Sequence, residues 1–175
     1  MAEVRLLRPE DDRSRFCSGD IDLDRFFIRF AGQNQFRHHI GATYVAVEDE
    51  RVLGFATVAP SEVEVADLPE GSRGRFPRYP LPVLRLARLA VDREAQGRGI
   101  GSLLLVTVFE LAHELARTVG CVGVVVDAKA GAVPFYARLG FRSMDVRSGA
   151  LEDRPVPTPM YLHLSAIPNL QEERR

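Results

Sequence analysis

Lysine, cysteine and long apolar runs are scarce in this sequence, and each shortage excludes a class of protein. Lys129 is the only lysine among 175 residues, whereas arginine occurs 22 times. Cys17 and Cys121 are too few for a disulfide framework, and no His/Cys spacing suggests a metal site. No apolar run approaches the roughly 18 residues of a membrane-spanning helix. The charged first residues are unlike a signal peptide, so we expect a cytoplasmic protein without membrane or metal.

The composition is that of a globular protein with almost no net charge. Apolar residues make up 46% of the chain and charged residues 27%, and the formal net charge is −1. A chain of this length most simply folds as one domain. We place that domain at residues 1–167 and expect residues 168–175 to form a flexible tail.

The positive charge is concentrated in one part of the chain. Residues 71–98 contain seven arginines against two acidic residues, a local charge of +5. A local basic face attracts phosphates even where the whole molecule is neutral. The alternative is that some of these arginines only bind coenzyme phosphates or solvate a loop, or that they reflect the composition of the genome.

Apolar periodicity predicts the element order β-α-β-β-β-α-β-α-β-β. Such an order is typical of an α/β (α+β) protein with an open, mixed sheet and helices on both faces. The segment 60–82 is rich in Pro, Gly and Arg and is expected to be a long loop, with a short alternating piece at 62–66. The predicted strands are 3–8, 43–48, 52–59, 83–91, 122–127, 141–146 and 160–164, and the predicted helices are 20–37, 99–118 and 132–139.

The segment 83–104 is a buried strand, a glycine-rich turn and the start of a long helix. Free amides of a first helical turn and the helix dipole together favour an anion. A dinucleotide fingerprint fails because Ser102 stands where its third glycine belongs, and a P-loop fails for want of a lysine. A glycine-rich turn without a ligand is the alternative.

Two motifs carry a resemblance to a known family. Gln96-Gly97-Arg98-Gly99-Ile100-Gly101 is similar to the Gln/Arg-x-x-Gly-x-Gly/Ala motif of the GNAT acetyltransferases, and residues 133–141 resemble their Ala-x-x-Phe-Tyr-x-x-x-Gly-Phe segment. The resemblance implies the GNAT fold, which is a mostly antiparallel twisted sheet of six to seven strands. It also implies that acetyl-CoA is the co-substrate, with its pyrophosphate on the backbone of the turn.

The resemblance assigns Tyr136 as the catalytic acid that protonates the departing thiolate. Phe135 is expected to pack on the sheet while Tyr136 projects into a cleft. Both the turn and the 127–136 segment follow strand ends, so we expect them to face one crevice. The positions matched to coenzyme-binding segments are Leu89, Ala90, Val91, Arg93, Gln96, Gly97, Arg98, Gly99, Ile100, Gly101, Ser102, Asp127, Ala132 and Phe135.

Other segments resemble one subgroup, the GNAT toxins of bacterial toxin–antitoxin pairs. They are 16–26, the hairpin 44–59, 86–97 and the strand 159–162. This resemblance implies acetylation of the α-amine of aminoacyl-tRNA, a homodimer and a small ribbon-helix-helix antitoxin. The arginines then expected to face tRNA are Arg73, Arg75, Arg78, Arg85 and Arg88.

The chemistry expected from this resemblance is direct attack by the substrate amine. Neither cysteine lies in a recognisable nucleophile setting, so no acyl-enzyme is expected. No general base is identified, although Glu62 and Glu64 lie in the segment expected to line the acceptor side. Two alternatives remain: an acetyltransferase of a small-molecule amine or antibiotic, and a regulator that binds acyl-CoA without catalysis.

Overall fold

The computed structural model describes residues 1–74, 76–144 and 157–167. The chain divides into two compact units, each formed by two separate stretches. The first unit comprises Met1–Ala59 and Leu86–Val108, and the second comprises Pro60–Arg85 and Phe109–Arg175. The prediction of one domain over 1–167 is not decided by this division, and the expected tail lies outside the described residues.

Among the described residues, seven strands form one sheet and three α-helices accompany it. The sheet order is β1-β2-β3-β4-β5-β7-β6, with antiparallel pairing of β1 with β2, β2 with β3, β5 with β7, and β6 with β7. The expected element order and mixed sheet are confirmed. The strands are β1 Glu3–Leu6, β2 Ala42–Glu48, β3 Arg51–Val63, β4 Leu81–Val91, β5 Gly123–Ala128, β6 Arg142–Ser143 and β7 Thr158–His163, and the helices are α1 Ile21–Arg25, α2 Ile100–Thr118 and α3 Val133–Arg138.

The first helix begins where the sequence predicts, and its winding then changes from α-helical to π-helical. The side chain of Asp20 accepts hydrogen bonds from the amides of Asp22 and Leu23, which caps α1. Two π-helical stretches follow, Phe26–Phe30 and Gln33–His38, so the helical segment reaches the expected end. The π-helical winding was not predicted, because apolar spacing does not distinguish it from an α-helix.

Phenylalanines form the centre of the first unit. The rings of Phe27 and Phe55 stack with centroids 4.3 Å apart, and Phe16 meets Phe27 edge-on at 4.8 Å. These residues belong to a buried cluster that also contains Phe26 and Ala90. This cluster therefore packs the helical segment against the strands that lead to the glycine-rich turn.

The second unit has its own core around β5 and β7. Val125 and Tyr161 are buried with Val63, Leu81 and Val83 in one cluster. The Tyr161 hydroxyl donates to the carbonyl oxygen of Val122 at 3.2 Å, so this buried phenol has a partner.

The predicted loop 60–82 is shorter than expected. Strand β3 continues through Pro60 to Val63, and two 3₁₀ turns, Val65–Asp67 and Glu70–Ser72, occupy much of the remainder. The extension was missed because a proline usually ends a strand prediction. Strand β6 covers only two residues of the predicted 141–146, of which 145 and 146 lie outside the described residues.

Gly123 provides a test of this packing. A Cβ there would overlap the carbonyl oxygen of Leu162 and lie 2.7 Å from the Tyr161 ring, and neither has room to withdraw. Gly123→Ala is therefore expected to lower the free energy of unfolding by about 2 kcal/mol, as measured by urea denaturation. In the control Gly131→Ala the new methyl meets nothing within 4 Å. Equal stability of the two variants would contradict this account.

Candidate active site

The glycine-rich turn connects β4 to α2 within the first unit. Gly97 and Gly99 have φ angles of 81° and 78°, a region that L side chains rarely adopt. Apart from the adjacent residues in the chain, no atom of a described residue lies within 4 Å of where a Cβ would be on either glycine. The backbone of the turn is therefore exposed, and open space lies beside both glycines.

The start of α2 adds hydrogen-bond donors to this space. The amide of Leu103 donates to the carbonyl of Gly99 at 3.0 Å, so Gly99 precedes the first helical residue. Gly99 has no side chain that could cap the amides of Ile100, Gly101 and Ser102. Open glycine backbone and uncapped amides at the positive end of a 19-residue helix fit the pyrophosphate of a coenzyme.

Asp92, a buried residue outside the Gln96–Gly101 motif, holds the glycine-rich turn in place. Asp92 is 5% exposed, and its carboxylate accepts from the amides of Cys17 at 3.1 Å and Glu94 at 3.0 Å. Arg51 also reaches this carboxylate, at 3.3 Å. The hydrogen bond from Glu94 forms an Asx turn, which an aspartate directly after a strand can predict. The bond from Cys17, which is 75 residues away in sequence, could not be predicted from neighbouring residues.

The polar side chains of the motif make contacts within the protein. Gln96 Nε2 donates to the carbonyls of Ser18 and Val91, both at 3.0 Å. Arg98 pairs with Glu48 at 2.9 Å, and the guanidinium of Arg93 lies beside Gly19. The side chain of Gln96 therefore stabilises the turn. The backbone of Gln96 is still available to a coenzyme, like that of the exposed glycines.

The remaining predicted coenzyme contacts of the first unit lie at the end of β4. Leu89 and Val91 are half-buried and Ala90 is buried. The amide of Asp92 donates to the carbonyl of Leu53 at 2.8 Å, so the chain leaves the sheet at this point. All predicted positions from Leu89 to Ser102 thus belong to one strand–turn–helix segment.

Tyr136 lies on α3 in the second unit, and its burial differs from expectation. It is 5% exposed and meets Phe135 and Phe141 edge-on at 5.2 Å and 5.4 Å, while Phe135 is only half-buried. Of the two rings, Phe135 is thus the more exposed, whereas it was expected to pack on the sheet; that Tyr136 projects into a cleft stays a prediction. The aromatic ring of Phe141, one turn beyond α3, encloses the phenol.

Burial changes the acidity of the Tyr136 phenol. It raises the pKa of the phenol to about 12, so the hydroxyl stays protonated at neutral pH. Its hydroxyl has no hydrogen-bond partner among the described residues, and no buried side-chain oxygen there lacks one. The hydroxyl oxygen therefore reaches the protein surface, where it can donate to a ligand.

The predicted positions near the end of β5 have different surroundings. Asp127 is exposed and its carboxylate binds Arg85 at 2.8 Å. Ala132 precedes α3 and its amide donates to the carbonyl of Lys129 at 2.8 Å. The Arg85–Asp127 pair was missed because the two residues are 42 positions apart.

The five arginines predicted to face tRNA do not form one free basic surface. Arg73 donates to the carbonyl of Leu68 at 3.0 Å, Arg85 pairs with Asp127, and the guanidinium of Arg88 lies 3.7 Å from the ring centroid of Phe26. Desolvation lowers the pKa of Arg88. Arg78 is exposed, and Arg75 lies outside the described residues.

The comparison with protein families decides what this arrangement is. The acetyltransferase (GNAT) domain family matches residues 39–143, which include the turn, α2 and Tyr136. The chain belongs to the GNAT family of acetyltransferases. It is therefore an acyltransferase that uses acetyl-CoA, and the predicted GNAT fold is confirmed.

Known proteins similar to this GNAT acetyltransferase include toxins. A tRNA-acetylating toxin of Mycobacterium tuberculosis (strain ATCC 25618 / H37Rv) is 37% identical over 126 residues, which is 71% of this chain and 74% of that protein. The structure of AtaT complexed with acetyl-methionyl-tRNAfMet is 25% identical with a TM-score of 0.82, covering 95% of this chain and 97% of that one. AtaTR bound with acetyl-CoA is 28% identical with a TM-score of 0.74, covering 95% of each chain.

Within residues 1–74, 76–144 and 157–167, none of the helices combines the length and apolar character needed to cross a bilayer. The same residues contain no group of three or more His, Cys, Asp or Glu side chains placed to hold a metal ion.

Gly101→Glu tests the coenzyme turn of this acetyltransferase. A carboxylate in the first turn of α2 would repel an anion there, so the affinity for acetyl-CoA should fall about a hundredfold or more in isothermal titration calorimetry. Val119→Glu places the same charge on an exposed residue beyond the other end of α2 and should bind normally. An unchanged dissociation constant in Gly101→Glu would place the pyrophosphate elsewhere.

Tyr136→Phe tests the proton donor. Loss of the hydroxyl should lower kcat about a hundredfold and leave acetyl-CoA binding nearly intact, because the ring still fills its buried site. Since the pKa of Tyr136 is about 12, the wild-type rate should show no loss from this group between about pH 8 and pH 10. Pre-steady-state kinetics across this range provides the measurement, and an unchanged kcat in the variant would remove the acid role.

Proposed function

We propose that this acetyltransferase transfers the acetyl group to the α-amine of aminoacyl-tRNA and thereby blocks translation. The observation that carries the proposal is the 37% identity to a tRNA-acetylating toxin over 126 residues. The similarity to AtaT in complex with acetyl-methionyl-tRNAfMet extends over 95% of the chain and supports the same acceptor.

In this proposal the first unit supplies the coenzyme site. The amides from Gln96 to Ser102 bind the pyrophosphate, and Leu89, Ala90 and Val91 bind the pantetheine arm through their backbone. The buried Asp92 and the side chain of Gln96 keep the turn in its binding conformation. When bound, acetyl-CoA supplies an acetyl group activated as a thioester. An amide of β4 then polarises the carbonyl of that group.

Tyr136 on α3 is the proton donor in the same proposal. Tyr136 donates its hydroxyl proton to the thiolate that leaves when the amine attacks. The phenol carries its proton at neutral pH, and the ring contacts with Phe135 and Phe141 fix the position of the ring. No protein acyl intermediate is needed, because the amine attacks the thioester directly.

An acidic cavity in the second unit suits an acceptor with an ammonium group. It measures about 430 Å³, and its lining includes the carboxylates of Glu62, Glu64, Asp67 and Asp127. Val63, Val125 and Met144 form an apolar part of the wall. Carboxylates attract the amine, and the apolar wall suits the side chain of an aminoacyl group.

The same cavity favours a second candidate function, acetylation of a small-molecule amine. A polyamine or aminoglycoside is cationic, and an acidic wall would bind it without any contribution from RNA. The arginines do not decide between tRNA and a small amine as the acceptor, because Arg73, Arg85 and Arg88 already contact other groups of the protein.

The partners belong to the proposal as well. AtaT binds the C-terminus of the antitoxin AtaR in one of the similar structures. We infer a small antitoxin for this chain, a homodimeric toxin and a cytoplasmic location, where charged tRNA is found. Exposed Arg78 is the first of the predicted arginines to examine for contact with the RNA.

The test follows the radiolabelled acetyl group of acetyl-CoA into candidate acceptors. Charged tRNA, polyamines and aminoglycosides are incubated separately with the wild type, with Tyr136→Phe as the catalytic control and uncharged tRNA as the acceptor control. We expect label only with charged tRNA, on an aminoacyl group that mild alkali releases. Label on the small amines alone would establish the second candidate. Binding of acetyl-CoA with no transfer to any acceptor would indicate a regulator.

A further inference from the structure

The second unit contains another cavity, and the mechanism proposed above assigns no role to its lining residues. It measures about 650 Å³, within the size range of small-molecule sites, and its polar side chains are Ser72, Arg142, His163 and Ser165. None of its lining residues carries a carboxylate. Its charge is thus opposite to that of the acidic cavity beside Asp127.

One wall of this cavity is aromatic. The rings of Phe76 and His163 have centroids 5.8 Å apart at an angle of 36°, and Tyr161 meets His163 edge-on at 6.2 Å. Phe76 and His163 are half-buried, whereas Tyr161 is 1% exposed and anchored by its hydroxyl. The wall is therefore fixed from beneath and offers ring surface on which a planar group can stack.

Two side chains of the cavity, Arg142 and His163, can donate hydrogen bonds to an anion. A methyl group on Gly71 would lie 3.1 Å from Nη1 of Arg142, so this guanidinium lies over the glycine backbone. Arg142 is exposed and makes no ion pair with a described residue. The amide of Ser165 donates to Nδ1 of His163 at 3.0 Å, so Nε2 carries the hydrogen of the neutral ring.

We propose that this cavity, which we call the Phe76–Arg142 cavity, binds one nucleotide of the tRNA substrate, a proposal that rests on the function proposed above. The base stacks on Phe76, and a phosphate accepts hydrogen bonds from Arg142. An aromatic wall beside an unpaired guanidinium is the combination that binds single-stranded nucleic acid. A cationic or purely apolar ligand would leave Arg142 without a partner.

The test compares a large and a small acceptor in two variants. Arg142→Gln removes the charge, and Phe76→Leu removes the aromatic face but keeps an apolar side chain. Each should raise the dissociation constant for methionyl-tRNA, measured by filter binding, about tenfold. Arg142→Gln should also reduce the salt dependence of binding by about one ion. The kcat/KM for the methionyl ester of adenosine, which is too short to span a second site, should remain at the wild-type value.

Matched controls separate the cavity from general effects. Arg117→Gln removes an exposed arginine that does not line the cavity, and Phe36→Leu alters a partly exposed phenylalanine of the first unit. Both should bind tRNA as the wild type does. Sedimentation of every variant monitors the oligomeric state, and titration with free adenosine monophosphate tests a free nucleotide as the occupant.

Each contrary outcome overturns the proposal. Unchanged tRNA affinity in both variants would show that the cavity does not bind RNA. Equal losses on tRNA and on the adenosine ester would indicate a role in the reaction or in folding. Dissociation of a dimer would indicate an interface between copies. Binding of free adenosine monophosphate that Arg142→Gln abolishes, without any effect on tRNA affinity, would indicate a free nucleotide as the occupant. If the wild type binds tRNA through this cavity but does not acetylate it, the proposed function fails separately.

Discussion

The buried carboxylate of Asp92 is the contact on which the coenzyme site depends. A glycine-rich turn has many accessible conformations, and its amides bind an anion well only if one of them is selected beforehand. Asp92 selects it by accepting amides from both sides, from Cys17 and from Glu94, with Arg51 nearby to offset its charge. Gln96 adds a second brace between the turn and Val91. The phenylalanine cluster beneath keeps the Cys17 segment in place.

The glycine-rich turn and Tyr136 differ in how far they are buried. The coenzyme turn is exposed because its function is to present backbone amides to a ligand. Tyr136 is enclosed because a phenol in an apolar site holds its proton more firmly than one in water. The phenol is therefore protonated throughout the physiological range, as the role of proton donor proposed for it requires.

The second unit separates two kinds of charge. Carboxylates line the cavity beside Asp127, whereas Arg142 and His163 line the Phe76–Arg142 cavity. The Arg85–Asp127 pair shows how an arginine counted in the basic segment can serve the acidic cavity instead. The charged residues that line each cavity therefore predict the charge of its ligand better than the net charge of the chain or its number of arginines does.

The element order, the strand–turn–helix segment and the helix cap at Asp20 were predictable from the sequence. These features are set by residues within a few positions of one another, through periodicity, glycine conformation and side-chain caps. The length of β3 was not predictable, because the strand continues through Pro60 to Val63 and a proline within a run argues against a strand. The π-helical winding after α1 also lacked a local signal.

The sequence by itself determined which segment could bind a coenzyme and which tyrosine could serve as the acid, since both depend on short motifs. Only the tertiary structure decided which charged groups remain free. Cys17 and Asp92 meet across 75 positions, and Arg85 and Asp127 across 42. The physical reason is that a pairing over such distances depends on how the strands and helices pack, and no pattern of neighbouring residues specifies it.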